Sequence, residues 1–552
     1  FTLSVKDDGN LYITGGKWRG CMYGVYELLE RYIGWRFFYN KQTDSYLTKD
    51  ADDAYYLYDS EHVDIPAGIN DTQVPSFAYR QGRYTWYYNY DEHAKLRESR
   101  SLRNLSKYNG YGSATFSAAV HGFRDAVNAG VIPDYDYGGY DIGSPQPCYN
   151  NEEVIEAAKT YFLGQIEKKI ASGYEIGKDI TVVDVAQLDS GSFCKCKTCI
   201  NAIAKERSGV ASVLYFTNEM ADAIGEAYPG LWVSMFAYYG TSTPPAKTMP
   251  RDNVNVSYCF YNDIDKLTCG NHTLDGKNCT EHPDDSYGTS NYNYAAEFDR
   301  WCQIAKRITV WYYPGNWALN SITNSTIKTM LKDMRYFSDN GVYGIYPCCS
   351  NPKKETDWES IDALMLYLYN RLLWNAEMTE EEFQAEIDDY LYVLYGEGGK
   401  FVGDYYKWLE TTDRIGCWPF MIAFGNPCDR TDFAKVRDGF ELCLSMFDDA
   451  IKYAPSAKAE YGVRLASRSM YVRGLISVYH DWYENGNDAQ KARYTELWEY
   501  FRDLAVNSSY ILSGGKCAVL SDFDISENIG AMVDRFEGSP TRVSDWYDWQ
   551  KY

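Results

Sequence analysis

The sequence predicts an α/β protein whose centre is a (β/α)8 barrel of the TIM type. Between about residues 76 and 350, short apolar runs alternate with longer helical stretches, as in a parallel sheet or barrel. No glycine-rich phosphate loop follows the first run, which disfavours the rival doubly wound open sheet. The 552 residues exceed one compact core. We expect a partial N-terminal α/β accessory domain at 1–65, the barrel at 66–357 and a C-terminal α-helical domain at 358–552.

The first segment reads as a small α/β unit. Residues 11–14 have the composition of a strand, and Gly15 and Gly16 predict a turn. Apolar residues recur with helical spacing through 21–33, and Gly34 is placed to end that helix.

The central segment contains seven apolar runs that we interpret as strands, which fits an eight-stranded barrel with one strand not apparent. Helices are expected between them, including 152–170 and 212–227. The predicted strands are 77–83, 114–121, 180–189, 232–238, 254–261, 308–313 and 342–346.

From Trp358 onward the pattern becomes helical. Apolar residues at 361, 364, 365, 368, 372 and 373 form one helical stripe. Thr379 with Glu382 has the spacing of a capping box before the next helix, and Gly396 is placed to end it. Further helices are expected at about 431–453, 456–482 and 487–507. No linker rich in Pro, Gly or Ser separates these helices from the barrel, so the two are expected to pack as one unit.

Composition excludes several classes of partner. The net charge of −23 argues against nucleic acid and anionic membrane surfaces, both of which require basic patches. No run of roughly 18 apolar residues is present, so no membrane span is expected. Neither a cofactor nor an obligate protein partner is indicated. The 53 tyrosines suit amphipathic ligands such as sugars, although many are expected to fill packing interfaces. The chain opens in mid-pattern at Phe1, which favours a processed precursor and an extracellular or cell-surface location.

The most informative stretch is 182–189, an apolar run that ends in a carboxylate. In parallel barrels, reactive groups sit where strands end and loops begin, which makes Asp189 the first candidate for chemistry. With a period of two, Gln187 and Asp189 share one face of the predicted strand and Asp184 lies on the other.

Three cysteines follow this run at once, with the spacing Cys194-x-Cys196-x-x-Cys199. Tetrahedral zinc needs four ligands, so Cys148 or a distant cysteine such as Cys302 would have to complete a site. Disulfides or reduced buried thiols are the favoured alternatives, and a four-thiolate zinc would have a structural role. Two further cysteine pairs flank polar loops and could form disulfides: Cys269 with Cys279, and Cys417 with Cys428.

Several segments together resemble glycoside hydrolase family 163. The stretch from Gly15 to Arg36 looks like the accessory domain that precedes the barrels of family-20 hexosaminidases and α-glucuronidases. The other matching segments, in chain order, are Pro75-Ser-Phe-Ala-Tyr-Arg80, His121-Gly-Phe, Gln146-Pro-Cys-Tyr-Asn150, Gln187-Leu-Asp189 with the three cysteines, Ala237-Tyr238 with Pro244-Pro245, Arg251-Asp-Asn-Val254 and Leu372-Leu-Trp-Asn375.

This resemblance implies a (β/α)8 barrel and an endo-β-N-acetylglucosaminidase that acts on N-glycans, in bacteria that feed on host glycoproteins. Such an enzyme can be substrate-assisted, with the sugar's own acetamide as nucleophile. Here Ser190 follows Asp189, where substrate-assisted barrels commonly carry two adjacent acidic or amide residues. Four alternatives remain open: an exo-acting β-N-acetylhexosaminidase, a glucuronidase, a non-catalytic glycan-binding protein on a degenerate barrel, and metal-dependent hydrolysis through the cysteine cluster.

Three residues are the catalytic candidates. Asp189 is the first, Gln187 could orient the acetamide, and Asp263 is a possible partner carboxylate after its strand. Each also has a structural interpretation, because Asp189 could simply cap a loop and Asp263 could be a solvated loop residue. The substrate-binding candidates are Arg80, His121, Gln146, Asn150, Tyr238, Tyr261, Tyr313 and Trp317. An ion pair for Arg80, a core position for His121 and simple packing for the aromatic residues are the structural interpretations.

Overall fold

A computed structural model of the chain describes most of the first 411 residues and a few short segments beyond them. These residues are 1–16, 20–34, 36, 63–80, 121–132, 146–177, 180–191, 193–260, 287–312, 327–347, 363–411, 442, 445–454, 488–489 and 492.

The N-terminal unit is a three-stranded antiparallel sheet with one helix. Strand β1 (Thr2–Val5) is central and pairs with β2 (Leu11–Thr14) and with β3 (Asn70–Thr72). Helix α1 (Gly20–Ile33) packs against this sheet and is followed by Gly34, whose φ of +72° is the left-handed conformation that favours glycine. The predicted strand and helix are confirmed, and the sheet also takes in β3, beyond residue 65.

The central sheet has six parallel strands in the order β4-β9-β8-β7-β6-β5. Buried side chains on both faces explain the continuous apolar runs in the sequence, because helices cover the sheet. The strands are β4 (Tyr79–Arg80), β5 (Val182–Asp184), β6 (Trp232–Ala237), β7 (Val254–Cys259), β8 (Arg307–Tyr312) and β9 (Gly344–Pro347).

Helices lie between these strands, and the ones predicted at 152–170 and 212–227 are confirmed. They are α2 (Phe123–Asn128), α3 (Glu152–Ala171), α4 (Lys197–Glu206), α5 (Ala211–Ala227), α6 (Tyr287–Ile304) and α7 (Ile327–Asp339).

The prediction of a closed eight-stranded barrel is wrong. Among the described residues the sheet is a curled half-barrel, and its edge strands β4 and β5 do not pair with each other. Six of the seven predicted runs contain a strand. The seventh, 114–121, lies outside the described residues except for His121, which is not in a strand. Helix α2 begins beside the end of β5, where the Phe123 N–H donates to the Ala186 carbonyl at 3.1 Å.

Strand β5 is also much shorter than the predicted run 180–189. The Asp184 carboxylate accepts a hydrogen bond from the Ala186 N–H at 2.9 Å, which bends the chain out of the sheet. Residues 185–189 therefore follow the strand rather than continue it, and the two-residue alternation does not apply to them.

Three helices follow the sheet: α8 (Ala363–Trp374), α9 (Glu380–Tyr395) and α10 (Gly399–Thr411). The capping box of Thr379 and Glu382 is confirmed, and Gly396 follows α9 with a φ of +57°. Of the later predicted helices, 442 and 445–452 are helical within 431–453. The helix at 456–482 and most of that at 487–507 lie outside the described residues.

The N-terminal unit packs on α8. Trp374 stacks on Phe1, with ring centroids 5.7 Å apart, and meets Tyr23 edge-on at 5.2 Å. Arg371 pairs with Glu30 of α1 at 2.8 Å and with Glu386 of α9 at 2.5 Å. One guanidinium therefore links three helices.

None of the helices in the described ranges combines the length and apolar character needed to cross a bilayer.

Candidate functional site

Asp189 lies in the bend that follows β5, beyond the carboxyl end of the parallel sheet. This bend is held by Gln146, a fully buried residue. Its Nε2 donates to the Leu188 carbonyl at 2.5 Å and to the Ser190 carbonyl at 2.8 Å, and its Oε1 accepts from the Leu188 N–H at 3.0 Å. Since these bonds hold the residues on both sides of Asp189, the buried Gln146 supports the bend that carries the carboxylate.

Asp189 has two polar neighbours. The Tyr238 hydroxyl donates to Asp189 Oδ1 at 2.5 Å, and His121 Nε2 lies 3.9 Å from the same oxygen. The Asp189 side chain is 59% exposed, whereas that of His121 is 13% exposed. Among the described residues, no hydrogen bond reaches Asp189 Oδ2. The structure thus brings three predicted site residues together and leaves a carboxylate oxygen open to solvent.

His121 is fixed in one tautomer. Its Nδ1 lies 2.6 Å from the Gln187 carbonyl oxygen, which can only accept, so Nδ1 carries the proton. Burial lowers the pKa of His121 below its usual value, although the neighbouring Asp189 carboxylate opposes this shift. The ring is therefore neutral at pH 7, and Nε2 offers a lone pair beside Asp189.

The backbone around His121 is constrained. His121 has a φ of +60°, a conformation that non-glycine residues rarely adopt. The next residue, Gly122, lies so close to β5 that a Cβ atom would be 2.1 Å from the Asp184 carbonyl oxygen. The Gly122 N–H donates to Asp184 Oδ2 at 3.1 Å. Asp184 thus anchors the loop that presents the histidine.

Gln187 is fully buried behind the bend. Its Nε2 donates to Thr241 Oγ1 at 2.9 Å and to the Phe236 carbonyl at 3.2 Å. It therefore links the end of β5 to the end of β6, and it does not share the exposed surroundings of Asp189. Its predicted role of orienting an acetamide stays a prediction; among the described residues its buried Oε1 has no hydrogen-bond partner.

A row of aromatic rings that the sequence analysis missed extends from His121. Its ring lies 4.8 Å from that of Phe236, which lies 5.4 Å from Trp311, and Trp311 stacks on Tyr346 at 4.4 Å. Each of these three residues stands one position before the end of its parallel strand. That shared position was the signal in the sequence that could have identified the row.

Arg80 lies on β4, at the opposite edge of the sheet from β5. Its Nη1 donates to the Phe77 carbonyl at 2.6 Å, and its guanidinium lies 5.4 Å from the Trp374 ring. These contacts direct Arg80 toward backbone and core. The remaining predicted site residues, Asp263, Tyr261, Tyr313 and Trp317, lie outside the described residues, as do the four cysteines of the two possible disulfides.

The three cysteines after Asp189 meet Cys148, which stands two residues after Gln146. The four sulfur atoms lie within 4.8 Å of one another, and all four cysteines are free thiols. Asn150 Nδ2 donates to Cys199 Sγ at 3.2 Å and to Ser212 Oγ at 2.6 Å. Asn150 is therefore a neighbour of the cysteine cluster, and Cys148 is the fourth member that the sequence left open.

The thiols of this cluster differ in the direction in which their pKa values are shifted. A hydrogen bond from Cys148, helped by Asn150 and Ser212, lowers the pKa of Cys199 to about 4. The same contact with Cys199 raises the pKa of Cys148, and burial raises that of Cys194. Hydrogen bonds within the protein alone thus stabilise a thiolate at Cys199.

The arrangement around Asp189 suits acid–base chemistry on a sugar. A carboxylate, a phenol and a neutral imidazole surround one exposed position, and they can donate to or accept from a substrate oxygen. The aromatic row offers apolar ring surface next to these polar groups, a combination that suits the faces and hydroxyls of sugars.

Comparison with solved structures shows a shared fold. A family GH115 4-O-methyl-α-glucuronidase, BtGH115A, with specificity for decorated arabinogalactans, aligns with a TM-score of 0.58 at 12% identity, over 97% of this chain and 70% of that one. A GH138 enzyme targeting pectin rhamnogalacturonan II aligns over 94% of this chain and 69% of that one at 11% identity. Its TM-score of 0.37 is too low to support an argument. The chain therefore shares the fold of a glycoside hydrolase.

No curated protein sequence matches the chain. A family model does match, the domain of unknown function DUF4838, over residues 51–407. This match covers more than half of the chain and includes Asp189, His121, Tyr238 and the cysteine cluster. The chain belongs to the DUF4838 family.

Proposed function

We propose that this protein is a glycoside hydrolase in which Asp189 is the catalytic carboxylate. The observation that carries the proposal is the Asp189 side chain, exposed at the carboxyl end of a parallel sheet between Tyr238 and His121. Catalytic groups of related barrels occupy this end of the sheet. The fold shared with a glycoside hydrolase supports the same assignment.

The three groups have separate roles in the proposed reaction. Asp189 Oδ2 faces the substrate and exchanges a proton with, or stabilises charge on, the reacting sugar. The Tyr238 hydroxyl holds Oδ1 and fixes the plane of the carboxylate. His121 Nε2 accepts a hydrogen bond from a sugar hydroxyl or from water next to Asp189.

The proposed substrate is an N-glycan, cleaved within its core by an endo-β-N-acetylglucosaminidase activity. The ordered set of motifs that resembles glycoside hydrolase family 163 supports this choice. A substrate-assisted mechanism requires one enzyme carboxylate fewer, because the acetamide supplies the nucleophile. Asp263 stays a candidate for a second carboxylate. A host glycoprotein substrate would require an extracellular or cell-surface enzyme.

Glucuronidase activity is the second candidate, because the glycoside hydrolase that shares the fold is a 4-O-methyl-α-glucuronidase. A uronic acid substrate needs cationic groups around its carboxylate. The Nη1 atom of Arg80, the arginine among the predicted substrate-binding residues, bonds to backbone carbonyls. This contact favours a neutral sugar over a uronic acid.

The test is a comparison of two substrates with one enzyme preparation. The protein is incubated with a biantennary complex N-glycoprotein and, separately, with a 4-O-methylglucuronic acid-substituted arabinogalactan, and the products are analysed by mass spectrometry. We expect released N-glycans with one N-acetylglucosamine at the reducing end, and no free uronic acid.

Three other results of this experiment would each indicate a different function. Release of 4-O-methylglucuronic acid alone would replace the endo-acting assignment with the glucuronidase. Release of single terminal N-acetylhexosamines would indicate an exo-acting hexosaminidase. Tight binding of either glycan without any product would contradict hydrolysis and indicate a glycan-binding protein.

A further inference from the structure

Four cysteines from two separate segments converge at one point next to the bend that carries Asp189. Cys148 Sγ lies 3.8 Å from Cys196 Sγ and 3.7 Å from Cys199 Sγ, and Cys194 completes the group. In tetrahedral zinc sites the Zn–S bond is about 2.3 Å, which places the sulfur atoms about 3.8 Å apart. Both Cys148 distances match the edge of such a tetrahedron, and all four sulfur atoms lie within 4.8 Å of one another.

Hydrogen-bond donors point at the sulfur atoms of two of the four cysteines, Cys199 and Cys196. Asn150 Nδ2 donates to Cys199 Sγ at 3.2 Å, and the Cys199 N–H points at Cys196 Sγ at 3.5 Å. Cys196 caps α4, so the thiolates lie at the positive end of a helix dipole. Hydrogen bonds of this kind to metal-bound sulfur are typical of zinc sites.

The cluster is also enclosed in the way that a structural site requires. Cys148 and Cys199 are buried, and Cys196, the exposed member, lies on the solvent side. Four thiolates would fill every position of a tetrahedral ion and leave none for water or substrate.

We propose that Cys148, Cys194, Cys196 and Cys199 bind one structural zinc ion. Each thiol gives up its proton to solvent as its sulfur bonds to the metal, and no oxidation is involved. The ion joins the turn 146–150 to the loop 190–196 and to the start of α4. Gln146 extends from the same turn to the peptides on either side of Asp189. The zinc thereby fixes the support of the Asp189 bend without touching the substrate.

Disulfides are the alternative. Two disulfides would consume the same four thiols, and each would require an oxidant and a sulfur–sulfur distance of about 2.05 Å. The sulfur atoms are held well beyond that distance, and three of them surround Cys148 rather than forming two separate pairs.

Metal content tests the proposal without reference to glycosidase activity. The full chain is purified without chelator or reductant, and its zinc content is measured by inductively coupled plasma mass spectrometry. X-ray absorption at the zinc edge then identifies the ligands. We expect one zinc per chain, bound by four sulfur atoms at about 2.3 Å.

Variants assign the ion to this cluster. Cys196→Ser replaces the exposed member and is expected to lower zinc occupancy at least tenfold in the presence of a competing chelator. Cys21→Ser is the matched control, because Cys21 is also exposed and lies on α1, outside the cluster. It is expected to retain one zinc per chain.

Native mass spectrometry of the unmodified chain gives an answer even if Cys196→Ser does not fold. A mass increase of one zinc ion less the displaced protons, lost on denaturation in acid, supports the proposal. A metal-free chain after expression with added zinc, disulfides mapped by peptide digestion to these four cysteines, or iron in place of zinc would overturn it. These results concern only the metal, so an inactive but zinc-loaded protein would count against the proposed function alone.

Discussion

At the residue scale, the hydrogen bond between Tyr238 and Asp189 is central to the proposed site. A phenol that donates to a carboxylate fixes its orientation, and charged hydrogen bonds of this kind contribute about 1.5–3 kcal/mol. The bond matters for turnover because the opposite oxygen must face the substrate.

We therefore expect Tyr238→Phe to lower kcat by about 10- to 100-fold while KM changes little. Steady-state kinetics on a glycan substrate measures both constants. Tyr215→Phe, an exposed tyrosine on α5, is the control and should retain wild-type rates. An unchanged kcat in Tyr238→Phe would show that the hydrogen bond has no part in catalysis.

His121 gives the site a pH dependence whose sign follows from burial. Burial lowers the pKa of the folded histidine, so at pH values just below about 6.5 the unfolded chain binds the proton and the folded chain does not. The contribution of this group to stability is thus complete above that pH and is lost as pH falls toward the folded pKa.

We expect the free energy of unfolding to fall between about pH 6.5 and pH 5 in the wild type, and to fall less in His121→Asn. Urea unfolding across this range measures the difference. A steeper loss in the variant would contradict the neutral, buried histidine.

At the element scale, the loop before α2 depends on the absence of a side chain at Gly122. A Cβ there would lie 2.1 Å from a backbone oxygen of β5, a contact that only movement of the backbone could relieve. The close approach places the start of α2 directly beside the end of β5.

Gly122→Ala is expected to destabilise the fold by about 1–3 kcal/mol, the usual cost of overpacking. Gly164→Ala on α3 is the matched control, since a Cβ there meets nothing within 4 Å and the change is expected to stabilise the helix by about 0.5–1 kcal/mol. Thermal unfolding compares the two variants. Equal stability of both would refute the close approach.

The features that the sequence predicted correctly are mostly the starts and ends of helices. The helix at 152–171, the capping box of Thr379 and Glu382 and the glycine after α1 all depend on local bonds, which local sequence encodes. The end of β5 depends on the side chain of Asp184, and an apolar run that continues past it gave no sign of this.

At the scale of the whole molecule, the proposed site depends on residues far apart in sequence. Asp189 and Tyr238 lie at the carboxyl end of the parallel sheet. The rule that reactive groups follow the carboxyl ends of parallel strands was enough to predict this. The buried positions of Gln187 and Gln146 depend on contacts between segments about 50 residues apart, which no local pattern records. Among the described residues the sheet is open, which depends on which distant strands pair with one another. Counting apolar runs in the sequence does not show this pairing and led to the prediction of a closed barrel.

Arg371 connects the N-terminal unit to the helices after the sheet. Its removal would leave Glu30 and Glu386 without their common partner. The three side chains are 18–22% exposed, and charged hydrogen bonds of this kind contribute about 1.5–3 kcal/mol. We expect Arg371→Ala to lower the free energy of unfolding by about this amount, as measured in urea. Arg251→Ala breaks an exposed pair with Asp222 and should cost less than about 1 kcal/mol. Equal losses of unfolding free energy in both variants would show that the Arg371 pairs contribute no more than an exposed ion pair.

The proposed function assigns the hydrolysis of a glycan to Asp189. A comparison of the wild type with two variants tests this role. Wild type, Asp189→Asn and the control Asp388→Asn on α9 are assayed for glycan release from an N-glycoprotein, and glycan binding is measured by calorimetry. We predict that Asp189→Asn loses turnover by at least about 100-fold while it still binds the glycan, and that Asp388→Asn matches the wild type. Turnover by Asp189→Asn at the wild-type rate would show that Asp189 is not the catalytic carboxylate.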